Sequence, residues 1–230
     1  MDYDSQGQPP SHLEHIVGID KRDFSYHVKQ QAFAFMYQLE GWCSQAKASI
    51  LIDIILKTRP ETVVEIGVFG GKSLVPMAYA LKVNGKGKIY GIDPWDSNAS
   101  IQEVMNEDTK AFWNALDHNG VLKKLMSKIP EFDLENQIEL IKSTSEDAPP
   151  IDTINLLHID GNHSEKTSYL DVTKWVPLMK SGGWIILDDI TWYESGIFTN
   201  GRAMNWLNEH CIKFAEFRDA MNVWGVWIKP

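Results

Sequence analysis

Cysteine is scarce in this sequence, which has only two cysteines in 230 residues, Cys43 and Cys211. Two cysteines cannot build a disulfide framework, and neither belongs to a CxxC pair of the kind found in metal and redox motifs. Free cysteine is among the residue types most often buried in protein interiors. We therefore predict two reduced, buried thiols, which excludes a small secreted scaffold held together by disulfides.

Positive charge is also scarce. The chain has 22 Lys and Arg residues against 31 Asp and Glu residues, a formal net charge of −9. Proteins that bind nucleic acid usually present a dense basic face that releases counterions from the phosphates. No such cluster of Lys and Arg occurs in this sequence, so we expect no nucleic-acid partner.

Long apolar runs are missing as well. The longest, such as Trp184 to Leu187, are far too short to span a bilayer. Residues Met1 to Pro10 are polar and acidic and lack the basic-then-apolar order of a signal peptide. These features predict no membrane contact and a cytoplasmic location.

The first 57 residues differ in pattern from the rest of the chain. Residues 1–12 are polar and contain glycine and proline, which is typical of a flexible tail. From Phe24 to Leu56 apolar residues recur at helical spacing, and Pro60 then ends the helix. We predict that residues 1–57 form a tail and a helical lid or cap, and that residues 58–230 form the main domain.

After Pro60, predicted strands alternate with predicted helices. The strands are Thr62–Ile66, Lys88–Ile92, Ile138–Lys142, Ile154–Ile159, Trp184–Leu187, Ile212–Phe217 and Val223–Ile228. The helices are Lys72–Val83, Ile101–Ser127, Glu165–Met179 and Ala203–Glu209. This alternation predicts an α/β fold with a mostly parallel seven-stranded sheet and helices on both faces. The last two strands are separated only by a short turn, which predicts an antiparallel hairpin at one edge of the sheet.

Polar side chains follow several of these strands. They lie at Glu65–Gly67, Asp93, Ser143, Asp160 and Asp188–Asp189. Open α/β sheets bind their ligands outside the carboxyl ends of the strands, so we expect these side chains to rim one crevice.

The first strand leads into a glycine-rich turn that opens the first helix of the alternating region. The dinucleotide fingerprint GxGxxG requires a glycine where this sequence has Phe69, two residues after Gly67. The turn is also preceded by an acid, Glu65, which would repel a pyrophosphate but suits a ligand that carries an ammonium and a sulfonium. The turn therefore disfavours a nicotinamide cofactor.

The next two strands end in residues suited to a nucleoside. Asp93 can accept hydrogen bonds from both ribose hydroxyls, as acids at this position do in other α/β folds. Ser143 and Ser145 could meet the edge of an adenine, although a turn or a helix cap accounts for them equally well.

Together these residues resemble class I S-adenosylmethionine methyltransferases, over the chain from about Thr62 to Pro230. The resemblance implies that the acid and glycines of the turn contact the methionine part of the cofactor, and that the acid after the second strand binds the ribose. The candidate cofactor-binding residues are Glu65, Gly67, Gly71, Ser73, Asp93, Ser143, Ser145 and Asp160.

The later strand ends carry the candidate chemistry. Asp160 and the Asp188–Asp189 pair end two successive strands and would repel one another strongly unless a cation lay between them. Ligation by oxygen alone favours Mg²⁺ or another hard divalent ion. We therefore predict a metal site at Asp160, Asp188 and Asp189.

Such an ion would serve methyl transfer to oxygen. The methyl group of a sulfonium is already electrophilic, whereas an alcohol is a poor nucleophile at neutral pH. A divalent ion lowers the pKa of a coordinated oxygen. A base must still take the proton, and His163, three residues after Asp160, titrates in the right range.

These motifs sharpen the resemblance. The order Glu-Ile-Gly, Gly-Ile-Asp, His-Ile-Asp-Gly-Asn-His-Ser and Leu-Asp-Asp is similar to the small-molecule O-methyltransferases related to macrocin O-methyltransferase. Those enzymes methylate sugar hydroxyls of natural products and depend on Mg²⁺. The resemblance implies Asp160, Asp188 and Asp189 as metal ligands and His163 as the base.

Aromatic residues near these motifs are candidates to enclose an acceptor. Trp42, Trp95, Trp192 and Tyr193 lie in suitable places in the sequence, although core packing explains any single tryptophan as well.

The sequence as a whole predicts a metal-assisted O-methyltransferase that uses S-adenosylmethionine. The predicted catalytic residues are His163 and Asp160, and the predicted acceptor is a small molecule with a hydroxyl. A homo-oligomer is compatible with this prediction. Two alternatives stay open. One is a nicotinamide-dependent oxidoreductase on a similar fold, and the other is a protein that binds the cofactor without catalysis.

Overall fold

The sheet is the centre of the fold. The computed structural model describes residues 24–101, 105–194, 196–220 and 222–230. Seven strands form one sheet in the order β3-β2-β1-β4-β5-β9-β8. Their bounds are β1 Thr62–Ile66, β2 Lys88–Asp93, β3 Ile138–Lys142, β4 Ile154–Ile159, β5 Met179–Leu187, β8 Ile212–Arg218 and β9 Val223–Ile228.

The first five strands are parallel, and β9 runs antiparallel to both β5 and β8. The predicted α/β class, the mostly parallel seven-stranded sheet and the antiparallel C-terminal edge are therefore confirmed. A separate two-stranded ribbon pairs β6, Tyr193–Glu194, with β7, Ile197–Phe198.

Helices cover both faces of the sheet. They are α1 Phe24–Met36, α2 Gln45–Thr58, α3 Leu74–Asn84, α4 Ser97–Ser100, α5 Glu107–Ala115, α6 His118–Glu131, α7 Glu165–Trp175 and α8 Gly201–His210, with a 3₁₀ turn at Val176–Leu178. In the described part of the chain, no helix is long and apolar enough to cross a membrane.

Two hydrophobic cores follow from the alternation of side chains along the strands. Val63 of β1 faces the core that α1, α2, α3 and α6 cover, and its neighbour Val64 faces the core that α7 and α8 cover. In β4, Leu156 faces the first of these cores and Leu157 faces the second. Because apolar residues occupy both sets of positions, the central strands are buried on both sides.

The helix predicted from Phe24 to Leu56 is broken in two. α1 ends at Met36, and α2 begins only at Gln45. Gly41 has φ +129, which favours glycine and does not fit a helix, and Ser44 caps α2 by accepting a hydrogen bond from the backbone N–H of Lys47 at 3.0 Å. The three-residue spacing in this segment therefore continues through a connection that is not helical.

Two other predicted boundaries also shift. The stretch from Ile101 to Ser127 holds two helices, because Asp117 caps α6 through the N–H of Gly120 and separates it from α5. The helix expected from Glu165 to Met179 ends at Trp175, and β5 begins at Met179 and not at Trp184. The glycines before Trp184 are thus part of the strand.

The N-terminal helices pack on the sheet domain. Val28 and Ala32 of α1 and Leu51 and Ile55 of α2 belong to the same core as the strand residue Val63. The predicted polar tail lies outside the described residues. The division of the chain at residue 57 stays a prediction.

Candidate active site

The strand ends open into one cavity of about 650 Å³. It lies at the carboxyl ends of the parallel strands, where the sequence predicted a crevice. The predicted site residues that line it are Gly67, Ser73, Asp93, Ser145, Asp160, His163 and Asp189. The predicted site residues that do not line it are Glu65, Gly71, Ser143 and Asp188.

Gly67 allows the ends of β1 and β4 to meet. It has φ +85, and a Cβ atom there would lie 2.1 Å from the backbone oxygen of Asp160. The N–H of Asp160 donates to the carbonyl of Ile66 at 2.8 Å, and the N–H of Gly67 donates to the carbonyl of Ile92 at 2.9 Å. Only glycine fits this position, so its presence fixes the distance between the glycine turn and Asp160.

Asp93 holds the glycine turn in place. Its Oδ2 accepts the backbone N–H groups of Val68 at 3.0 Å and Phe69 at 2.9 Å, and its Oδ1 accepts that of Trp95 at 2.7 Å. Burial raises the pKa of Asp93, and these backbone hydrogen bonds oppose the rise. A carboxylate has about four acceptor positions, so Asp93 can still accept from a ligand in the cavity that it lines.

Glu65 does not reach the cavity. It is fully buried, accepts a hydrogen bond from the Ser73 hydroxyl at 2.5 Å and lies 2.9 Å from Nδ1 of His158. Burial raises the pKa of this carboxyl to about 8. Ser73 lines the cavity, whereas Glu65 lies behind it, so the direct contact of Glu65 with a cofactor stays a prediction.

A buried ionic cluster lies beneath the cavity. Lys47, which is 2% exposed, donates to Oδ2 of Asp160 at 3.2 Å and forms an ion pair with the fully buried Asp188. His158 Nε2 lies 3.6 Å from Oδ2 of Asp188. Burial, together with the charge of Lys47, lowers the pKa of His158 well below its ordinary value. His158 is therefore neutral, and Lys47 carries the positive charge of the cluster.

Above this cluster, His163 pairs with Asp189 in the cavity wall. His163 Nε2 lies 2.8 Å from Oδ2 of Asp189 and 3.9 Å from Oδ1 of Asp160. Burial opposes the charged imidazole, but the hydrogen bond and charge of Asp189 and the charge of Asp160 outweigh it and raise the pKa of His163. Asp189 has φ +52, a strained value for a residue other than glycine that often marks functional sites.

The three aspartates predicted as one ligand set are divided between two groups of potential metal ligands among the described residues. The inner group is His158, Asp160 and Asp188, and the outer group is Asp160, His163 and Asp189. Within each group the ligand atoms lie within 4.8 Å of one another. Asp188 points away from Asp189 because consecutive residues at a strand end face opposite sides of the sheet.

Two residues that contact the predicted site residues, Lys47 and Asn200, were not predicted from the sequence. Lys47 lies in the buried stripe of α2 with Ala48, Leu51 and Ile55, and a lysine within an apolar stripe was the available signal. Asn200 donates to the carbonyls of Asp188 at 2.9 Å and Asp189 at 3.1 Å, and so supports the turn that carries both carboxylates. No pattern around Asn200 indicated this role.

Aromatic rings enclose the cavity on two sides. Trp192 stacks on His163 with ring centroids 6.0 Å apart. On the other side, Trp42, Phe69 and Trp113 contact one another, with centroids 5.0 Å apart for Trp42 and Phe69. Of the four aromatic residues predicted to enclose an acceptor, Trp42 and Trp192 line the cavity, while Trp95 and Tyr193 do not.

The strand order, the glycine turn after β1 and the acid at the end of β2 define the class I methyltransferase fold. Residues 64–190 match a family model described as a methyltransferase domain, which covers more than half of the 230 residues. The chain therefore belongs to this methyltransferase family, and the predicted class is confirmed. Among curated proteins, no sequence matches the chain.

Solved structures share the fold at low sequence identity. The O-methyltransferase TomG from Streptomyces achromogenes, in complex with SAM, has a TM-score of 0.61 and 13% identity over 95% of this chain and 94% of that chain. The O-methyltransferase NovP has a TM-score of 0.63 and 16% identity over 91% of this chain and 99% of its own. An O-methyltransferase from Bacillus cereus, in complex with SAH, has a TM-score of 0.61 and 14% identity, with 95% of this chain and 96% of that chain covered.

Proposed function

We propose that this protein transfers the methyl group of S-adenosylmethionine to a hydroxyl of a small molecule, such as a sugar or a natural-product scaffold. The observation that carries the proposal is the His163–Asp189 pair, which lies beside Asp160 in the same cavity as the glycine turn. A base and an electrophile-binding turn that share one cavity are what methyl transfer to a hydroxyl requires.

The cofactor would occupy the half of the cavity around the glycine turn. Gly67 permits close approach of a ligand to the backbone, and Asp93 and Ser145 line the cavity beyond it. The volume of about 650 Å³ lies within the usual range for small-molecule sites and has room for a cofactor and an acceptor. S-adenosylmethionine supplies a methyl group on a sulfonium, and attack by the acceptor oxygen forms the new C–O bond as the C–S bond breaks.

His163 would take the proton of the acceptor hydroxyl. The Nε2–H group donates to Asp189, so Nδ1 is the nitrogen that is free to accept a proton. Asp189 also stabilises the imidazolium that results, because its carboxylate is 2.8 Å away. General base catalysis of this kind contributes about 10²- to 10⁴-fold in rate.

The outer group fits a hard divalent ion better than the inner group does. Asp160 and Asp189 are both partly exposed to the cavity and offer carboxylate oxygens, the ligands that Mg²⁺ prefers. In the inner group a lysine already lies between the carboxylates. We propose that Asp160 and Asp189 hold the ion, which when bound would supply a positive charge that lowers the pKa of the acceptor hydroxyl.

Trp192 and the cluster of Trp42, Phe69 and Trp113 would position the acceptor. Aromatic faces stack on flat rings and on the apolar faces of sugars, so they suit both classes of scaffold. The neighbouring structures TomG and NovP, which carry the name O-methyltransferase, support transfer to oxygen.

Calorimetry separates this proposal from the oxidoreductase alternative. We expect S-adenosylhomocysteine to bind to the purified protein with one equivalent per chain and NAD not to bind. Binding of NAD with no binding of S-adenosylhomocysteine would overturn the proposal. Release of S-adenosylhomocysteine from S-adenosylmethionine in the presence of a hydroxylated acceptor then distinguishes an enzyme from a protein that only binds the cofactor.

A further inference from the structure

Among the described residues, Lys47 is a buried cation whose position the proposed reaction does not explain. It lies in the first turn of α2, where the cap at Ser44 fixes the backbone. Its side chain is 2% exposed, and ordering and burying a lysine is costly unless the charge is compensated. The position therefore requires an electrostatic reason.

The reason lies in the inner group. Lys47 bridges Asp160, at 3.2 Å from its Oδ2, and the fully buried Asp188. The other oxygen of Asp188, Oδ1, is buried and has no hydrogen-bond partner among the described residues. The ammonium of Lys47 thus lies between two carboxylates, and one of these carboxylates has an oxygen without a partner. This is the arrangement of a metal site in which an ammonium takes the place of the ion.

We propose that Lys47 is the resident cation of the inner group and closes it to divalent ions. Its positive charge also lies next to Asp160, which the inner and outer groups share, and so weakens binding of an ion by the outer group. Lys47 is a positioning residue, because it acts through Asp160 and Asp188 and does not line the cavity. The part that concerns the outer group rests on the proposed function.

The test is titration of the purified protein with MnCl₂, followed by calorimetry and by the electron paramagnetic resonance signal of free Mn²⁺. We expect Lys47→Met to bind one more equivalent of Mn²⁺ than the wild type, or the same equivalent at least about ten-fold more tightly. Lys47→Arg keeps the charge and should bind as the wild type does. Lys72→Met is the control: Lys72 lines the cavity and donates to the carbonyl of Gly41. This substitution should change the Mn²⁺ affinity by less than about two-fold.

Thermal unfolding gives a second measurement. Lys47→Met leaves two carboxylates without their buried counterion, so the Tm of this variant should be lower than that of the wild type. Addition of Mn²⁺ should raise the Tm of Lys47→Met by more than it raises the Tm of the wild type. If Lys47→Met is not recovered in folded form, the double variant Lys47→Met/Asp188→Asn is compared with Asp188→Asn. The proposal expects tighter Mn²⁺ binding in the double variant, because Asp160 then has no neighbouring ammonium.

The outcomes separate this inference from the proposed function. Equal Mn²⁺ stoichiometry and affinity in Lys47→Met and in the wild type, with equal Tm gains, would overturn the role of Lys47. Binding of Mn²⁺ by Lys47→Met and not by the wild type would support that role and contradict metal assistance in the natural protein. Binding of S-adenosylhomocysteine, measured in the same samples, reports separately on the cofactor site.

Discussion

His163 is the residue on which the proposed chemistry depends most. Its imidazole combines a hydrogen bond to Asp189, a stacking contact with Trp192 and access to the cavity. These contacts fix the ring, so its basic nitrogen has a defined direction. A histidine held in this way resembles the base of a general-base pair more than a packing residue.

Removal of this imidazole should slow catalysis strongly and leave binding of the cofactor nearly unchanged. We expect His163→Ala to lower kcat by about 10²- to 10⁴-fold while the Kd of S-adenosylhomocysteine changes by less than about three-fold. His210→Ala is the matched control, because His210 is exposed and stacks on Trp206 with ring centroids 4.3 Å apart, outside the cavity. Normal turnover of His163→Ala would contradict the assignment.

Glu65 shows a second effect at the scale of one residue, on stability. Burial raises its pKa from 4.5 to about 8, so the folded protein holds this proton more tightly than the unfolded chain does. The stabilisation is fully present below the unfolded pKa and is lost as the pH rises through about 8, on the order of a few kcal/mol. Glu65→Gln stays neutral throughout this range.

The Tm of the wild type should therefore fall between pH 5 and pH 8 by more than the Tm of Glu65→Gln does. Glu61→Gln serves as the control, because Glu61 is exposed and pairs only with the exposed Lys86 in the described part of the chain. Parallel pH dependence of the wild type and Glu65→Gln, measured by calorimetry, would show that Glu65 is not protonated in the fold.

At the scale of elements, the junction between β1 and β4 determines the geometry of the site. The backbone N–H of Asp160 donates to the carbonyl of Ile66, and the missing side chain of Gly67 leaves space for Asp160. The helices contribute in a different way, since α2 directs Lys47 under the strand ends from the opposite side. The site is therefore assembled from elements that are distant in the sequence.

Gly67→Ala should be far more harmful than a comparable glycine substitution elsewhere. Both Gly67 and Gly182 have positive φ, at +85 and +77, but a Cβ at Gly67 meets Asp160 whereas a Cβ at Gly182 meets nothing within 4 Å. We expect Gly182→Ala to cost about 1–2 kcal/mol in unfolding free energy and Gly67→Ala at least about 2 kcal/mol more. Chemical denaturation measures both, and equal costs would contradict the close approach of β1 and β4.

At the scale of the whole molecule, the sequence predicted the sheet well because its strands are buried on both faces. The apolar residues of β4 and β5 are followed directly by Asp160 and Asp188, so the sequence indicates both the strand and the place where it stops. The convergence of these ends follows from the parallel sheet, so the crevice could be predicted before the structure was known.

Other features depend on contacts that sequence patterns do not encode. Lys47 and Asp160 are 113 positions apart, and nothing local to either residue predicts that they pair. Asp188 and Asp189 belong to different groups of potential ligands because Asp188 continues the alternation of β5 for one residue after Leu187, where the strand ends. The break between α1 and α2 was hidden because apolar residues continue at helical spacing through a connection that is not helical.

The proposed function is tested most directly by the fate of a labelled methyl group. The protein is incubated with S-[methyl-¹³C]adenosylmethionine, Mg²⁺ and a panel of sugars and polyphenols, with parallel samples containing EDTA, and the products are assigned by mass spectrometry and NMR. We predict that an accepted substrate gains one ¹³C-methyl group on a hydroxyl oxygen, and that EDTA slows the transfer. A ¹³C-methyl group on nitrogen or carbon, or tight binding of S-adenosylhomocysteine with no transfer to any hydroxyl, would contradict the account.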